Sequence, residues 1–356
     1  MKYRLVQLLA NESQTANTTK TIDLNLVTPI SRIVVRMKGT NTTSTPIAHP
    51  AKMISKMEIV DGSDVLYSLS GVQAGAVNFI ENGELPFYCC EYESGIQVCA
   101  TAQINFGKQL WDREFSLNPK NFKNPQLKIT NAVASGGSTA GTCTLAVFAY
   151  LFEDSPPTPR AFLMTKELYS YTLAASGHKY IDLPQDYPFR FVILQSYETV
   201  YSWNTQFDTL KFTIDTDRRV LLNSISASDF LKAQVPMDMV EEDFAGLGTG
   251  SAVSYYQAST YENYGVAVGR SATQTIMICG QPAGPRIQIS NDASESFACH
   301  ENGYAAFGGM NLLMCDKMDP ASWLDPAGTQ SIQLDILSTA DCGGTANIII
   351  QQARHY

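Results

Sequence analysis

The residues with reactive side chains are few and scattered. Histidine occurs only at His49, His178, His300 and His355, and the cysteines are Cys89, Cys90, Cys99, Cys143, Cys279, Cys299, Cys315 and Cys342. A nucleophilic triad needs a base held by a third group, and no Gly-x-Ser-x-Gly elbow offers the serine. "LGTGS" (247–251) alternates glycines without the strand-to-helix setting or the Lys-Ser/Thr of a phosphate-binding loop, so it reads as an ordinary loop. Cys89, Cys90 and Cys99 lack the paired spacing of a zinc site and read as buried thiols. Asp61/Asp64 in "DGSD" and Asp215/Asp217 in "DTDR" have the chemistry to surround a divalent cation. Asp and Gly are also the residues of tight turns, where Asp bonds its own backbone. Turns are the simpler reading, and cation binding at either stretch stays open. The sequence therefore offers no catalytic residue, no cofactor site and no metal site, and no enzyme is expected.

Tyrosine is the exception to this scatter. "SYYQASTYENYG" holds Tyr255, Tyr256, Tyr261 and Tyr264 within ten positions. Interfaces enrich tyrosine because it buries much area at low entropic cost and keeps a hydroxyl for a partner. The four are candidate interface residues; packing of a tyrosine-rich loop on its own domain is the other reading.

Whatever carries these residues is large and weakly charged. The chain has 356 residues, beyond the length at which one core stops growing, so two domains are expected. Only 17% of residues are charged while 44% are hydrophobic, and Thr, Ser, Asn, Gly and Tyr abound, which suits a β-rich protein. A net charge of −9 argues against wrapping a phosphate backbone, and no sequence-specific nucleic-acid binding is expected. No apolar run is long enough for a membrane helix. "MKYRLVQLLANESQ" lacks the h-region and cleavage site of a signal peptide.

The chain also repeats itself. "IDLNLVTPISRIVV" (22–35) and "IDLPQDYPFRFVIL" (181–194) both open Ile-Asp-Leu and both place a proline seven residues on, at Pro29 and Pro188. "SKMEIVDGSDVLYSL" corresponds to "LKFTIDTDRRVLLNSI", each a strand, an acidic turn and a strand. "QLKITNAVASGGSTAGTCTLAV" corresponds to "QLDILSTADCGGTANIII". Between these anchors the second copy is about 44 residues longer, an insertion placed near 235–308; long insertions lie on surfaces and make contacts. "DSPPTPR" (154–160) packs three prolines into seven residues and reads as a joint. We expect an N-terminal arm over 1–20, a first β-domain over 21–153, a linker over 154–178 and a second β-domain over 179–356. About eight short strands per half, with regular turn signals and short helices in loops, is the pattern of an all-β chain of two tandem jelly rolls.

These halves, the proline-rich joint and the stretch "INFGKQLWDREFSLNPKNFKNPQLKI" (104–129) resemble the double jelly-roll major capsid proteins of tailless icosahedral viruses, especially those of bacteria. The resemblance spans roughly residues 20–352. It implies two eight-stranded jelly rolls side by side, and a homotrimer of pseudo-sixfold outline tiling an icosahedral shell, often over an internal lipid membrane. It implies neighbouring capsid trimers, vertex (penton) proteins and minor capsid proteins as partners, and a virion assembled in the host cytoplasm. The 235–308 insertion would be a tower or intersubunit loop, and 1–20 an arm facing membrane or neighbours. No residue of that family acts as a catalyst. The rival reading is a carbohydrate- or receptor-binding β-protein using Trp111, Trp203 and Trp323.

Overall fold

The computed structural model describes residues 2–41, 48–136, 141–234, 239–247, 253–268, 277–279, 284–290 and 296–356. The first half runs β1 (Tyr3–Thr15), β2 (Thr19–Asp23), β3 (Ile30–Thr40), β4 (Ile54–Asp61), β5 (Asp64–Leu69), α1 (Gly71–Asn82), β6 (Tyr88–Tyr92), β7 (Gln97–Asn105), β8 (Pro125–Asn131) and β9 (Thr142–Phe152). The second half begins with β10 (Ala161–Thr172), β11 (His178–Asp182), β12 (Phe189–Gln195), α2 (Trp203–Gln206), β13 (Phe207–Ile214), β14 (Arg219–Ser226) and α3 (Ala227–Ala233). The insertion adds β15 (Val240–Leu247), β16 (Val253–Gln257), β17 (Glu262–Val268), β18 (Met277–Cys279), β19 (Arg286–Ser290) and β20 (Ser296–Tyr304). The chain closes with β21 (Gly309–Asn311), β22 (Ile332–Ser338) and β23 (Thr345–His355).

Alternation of apolar and polar residues makes these strands. In β3, Ile33, Val35 and Met37 are buried on one face while the intervening residues are half-exposed. The stretches "QLKI" and "QLDI" become β8 and β22, which share one alternating pattern of burial. In the first half β1-β9-β3-β7 packs on β2-β8-β4-β5, and in the second β10-β23-β12-β21 packs on β11-β22-β13-β14. The two orders are the same once β1 is set against β10, and each is that of an eight-stranded jelly roll.

The turn aspartates show the same duplication. Asp61 accepts from the backbone N–H groups of Lys123 and Asn124, just before β8. Asp215 accepts from Gln330 and Ser331, just before β22. Asp64 pairs with Arg354 and Asp217 with Lys211. All four carboxylates are thus engaged within the fold.

The structure differs from the expected layout in two places. Residues 3–15 are not an arm: β1 pairs with β9 along its length, with Val6, Leu8 and Leu9 against the first core. Within the expected linker, residues 161–172 form β10, whose Phe162, Leu163 and Met164 are buried. β10 pairs antiparallel with β23 and parallel with β5, at Thr165 opposite Tyr67. This joins four strands of each half into one eight-stranded sheet. On the other side the insertion docks on the first half, where β15 pairs parallel with β6.

Candidate functional site: two buried polar clusters in the seam

The seam between the halves holds two polar clusters shut away from water. The first centres on Arg190 of β12, which is fully buried. Its Nε donates to the Lys317 carbonyl at 2.9 Å, and its two terminal nitrogens donate to Gln351 Oε1 at 2.8 Å and the Lys108 carbonyl at 3.2 Å. Glu81, in the last turn of α1, lies 3.5 Å from the guanidinium. Its carboxylate also accepts from Gln351 Nε2 at 2.7 Å and Asn105 Nδ2 at 2.6 Å. Burial draws Arg190 down from the usual guanidinium value and the Glu81 charge opposes it. A buried pair of this kind contributes little net stability but is costly to break on one side. It also fixes how α1 and β7 sit on β12 and β23.

The second cluster is built from three separate segments. His49 precedes the short 3-10 turn Pro50–Met53, and its Nδ1 accepts the Ala51 N–H at 3.1 Å as that turn's cap. This bond leaves the ring proton on Nε2, which points at Glu242 Oε1 at 2.8 Å. Cys90, on the inward face of β6, has its Sγ 3.3 Å from the same oxygen and 3.6 Å from His49 Nε2. Glu242 Oε2 accepts the Ser259 N–H at 2.9 Å. Burial alone would raise the Glu242 carboxyl, but the His49 ring and Ser259 hold it below the usual carboxylate range. Burial, then the Glu242 charge, push the Cys90 thiol well up. Tyr88 and Phe307 stand edge-on to the imidazole.

Glu301 lies beside this cluster. It lies on β20 directly opposite Glu242 on β15, so the two side chains share a face. It is 1% exposed, and neither of its oxygens has a hydrogen-bond partner among the described residues. Burial and the charge of Glu242 raise its carboxyl well above the usual range. Two surface clefts reach the flanks of the cluster. One, of about 730 Å³, is lined by Cys90 and Cys299, and the other, of about 450 Å³, by Tyr88 and Glu242.

The tyrosines of the sequence motif divide. Tyr256 and Tyr261 are buried in the chain's own cores. Tyr255 is exposed on β16, its ring under the Arg286 guanidinium. Tyr264 lies in β17, and its side chain is outside the described residues. The tryptophans of the rival reading are packed inward: Trp203 and Trp323 are buried, and Trp111 stacks on Tyr3 at 4.1 Å. Neither polar cluster is announced by local sequence, since His49 and Glu242 are 193 residues apart and Arg190 and Gln351 are 161 apart.

No family model matches the chain and no curated protein sequence is similar to it. Solved structures are similar over nearly its whole length. The major capsid protein of bacteriophage PM2 superposes with a TM-score of 0.56 at 12% identity, covering 99% of this chain and 98% of that one. The major capsid protein of Sulfolobus turreted icosahedral virus gives 0.63 at 12% identity, covering 99% and 96%. The capsid of PBCV-1 virus gives 0.56 at 12% identity, covering 99% and 93%. The chain has the double jelly-roll fold of these proteins.

Proposed function

We propose that this chain is the major capsid protein of an icosahedral virus and acts as a structural subunit without catalysis. One observation carries this reading: two jelly rolls of identical strand order are joined side by side through β5 and β10. A chain with two equivalent barrels gives a trimer six equivalent blocks, and a near-hexagonal tile closes a shell with few kinds of contact. Weak contacts repeated over many copies then hold the particle. The similarity to viral capsid proteins along the whole chain supports the same reading.

In this reading the partners are two further copies in a homotrimer, neighbouring trimers, vertex and minor capsid proteins, and an internal lipid membrane where the virus has one. Tyr255, exposed beside Arg286, is the member of the tyrosine motif offered as a contact residue. A bacterial host and assembly in the host cytoplasm belong to the same proposal. The test is native mass by light scattering across protein concentration, followed by electron microscopy. Trimers or hexagonal tiles are expected; a chain that stays monomeric at every concentration, with or without its virion partners, counts against the proposal.

A further inference from the structure

The His49–Cys90–Glu242 cluster has the composition of a metal site. His49 Nε2, Cys90 Sγ and a Glu242 oxygen all lie within 4.8 Å of one another and all three residues are buried. They come from the loop before β4, from β6 and from β15, so one point ties the first jelly roll to the insertion of the second. A second observation lies beside it. Glu301 is buried on the shared face beside Glu242, and neither of its oxygens has a partner among the described residues. A buried carboxyl without a partner is rare and calls for a counter-group.

We propose that this cluster is a structural zinc site, with His49 Nε2, Cys90 Sγ and Glu242 Oε1 as ligands and with Glu301, which stands opposite Glu242 outside that group, turning in as the fourth. Zinc takes nitrogen, sulfur and oxygen together in a tetrahedral shell, in which neighbouring ligand atoms sit ~3.3–3.6 Å apart. The Sγ–Nε2 separation of 3.6 Å and the Sγ–Oε1 separation of 3.3 Å already match, and the Nε2–Oε1 pair at 2.8 Å needs to open slightly. One thiolate and two carboxylates around Zn²⁺ leave a single negative charge, as in the common sites of three cysteines and one histidine.

Binding displaces the Cys90 thiol proton and the Glu301 proton to solvent. The His49 proton moves from Nε2 to Nδ1, and the Ala51 N–H loses its cap. That loss is one ordinary hydrogen bond, small beside the binding free energy of a structural zinc. Cys90 and Glu242 each line a surface cleft, so the cluster lies close beneath the surface.

The full-length protein, stripped with a chelator and reloaded with zinc alone, tests this by metal analysis and thermal unfolding. A single zinc per chain and a higher Tm are expected. Cobalt in its place is expected to give tetrahedral d–d bands with a thiolate-to-cobalt charge-transfer absorption. Cys90→Ser is expected to lose that absorption, and Glu301→Gln to bind zinc about 10–100-fold more weakly. The proposal is overturned if the reduced wild-type protein takes up no zinc from a stoichiometric excess. It is equally overturned if Cys90→Ser keeps the wild-type zinc content and cobalt spectrum. Should Cys90→Ser fail to fold, the wild-type cobalt spectrum decides alone: tightly bound cobalt without the thiolate absorption rules the site out.

Discussion

Arg190 of β12 and Glu81 of α1 face each other at 3.5 Å inside the seam, and both are buried. Each half of the chain supplies one charge, and Gln351 of β23 bridges the two. Arg190→Met is expected to destabilise the protein by about 3–5 kcal/mol, because it leaves Glu81 buried without its counter-charge. Arg190→Met with Glu81→Gln should cost clearly less than the sum of the two single changes. Denaturant unfolding of the four proteins checks this, and strict additivity would mean that the pair does not act as a unit.

The Asp64–Arg354 pair lies at the rim of the same seam, linking β5 to β23 with a 2.8 Å bond and a second, parallel one. The Arg354 hydrogen bonds hold the Asp64 carboxyl below its usual value against partial burial. A depressed carboxylate contributes stability above its unfolded pKa, about 3.9, and the contribution is lost as pH falls through the folded value. Asp64 is 43% exposed, so the effect is small, about 1 kcal/mol or less. Asp64→Asn should flatten the acid limb of the stability profile and leave stability above pH 6 lower by that amount. An unchanged acid limb would remove Asp64 from the account.

Asp61 and Asp215 perform the same task in the two jelly rolls, each holding backbone N–H groups that lead into β8 or β22. Asp61→Ala and Asp215→Ala are each expected to cost about 1 kcal/mol, since these are exposed hydrogen bonds to a charged acceptor. The sites share no partner, so the double variant should show the sum. Thermal unfolding measures all three, and a neutral Asp215→Ala would show that the equivalence is one of shape alone.

The sequence made the duplication legible where side chains alternate and turns need special residues. β3 and β12, β4 and β13, β5 and β14, and β8 and β22 were all marked in this way. β1 carries no clear period-two signal, because its pairing with β9 is irregular between Gln7 and Leu9 and again before Glu12. "SLNP" (116–119) and "WLDP" (323–326) are a further matched pair too short to show in the sequence: Leu117 bridges Ile30 as Leu324 bridges Phe189. The polar clusters were illegible for a different reason. His49 is 41 residues from Cys90 and 193 from Glu242, and only the folded sheet brings β6 beside β15. The tyrosine motif mixed two roles, since Tyr256 and Tyr261 fill cores while Tyr255 stays outside.

Cys89 and Cys99 stand directly opposite each other on β6 and β7. Facing residues in such a ladder have Cα atoms about 4.5–5.5 Å apart, within the range a disulfide spans. Glutathione disulfide is expected to oxidise the two thiols to a cross-strand disulfide and to leave as two glutathiones. Cys90 points to the opposite face and should not compete. Burial raises both thiols, so the reaction should be slow at neutral pH and faster in alkali. Peptide mapping by mass spectrometry identifies the bond; glutathione adducts on separate thiols, with no cross-link, would refute it.

Cutting the chain in residues 154–160 tests how far the halves depend on each other. This stretch is mostly exposed and belongs to no strand, so a protease site placed after Ser155 should be cleaved without disturbing a ladder. Contacts on both sides of the cut then oppose separation. β10 lies against β5, β15 lies against β6, and Arg190 reaches the Lys108 carbonyl. The C-terminal Tyr356 hydroxyl accepts the Asn118 N–H and donates to the Ser116 carbonyl, both in the first half. The nicked protein is therefore expected to elute from a sizing column with the intact protein and to unfold in a single transition. Separation into two folded halves would show that each jelly roll carries its own stability and that the seam is only a contact surface. A single transition would show that the duplicated barrels have become one folding unit, in which β10 belongs to both.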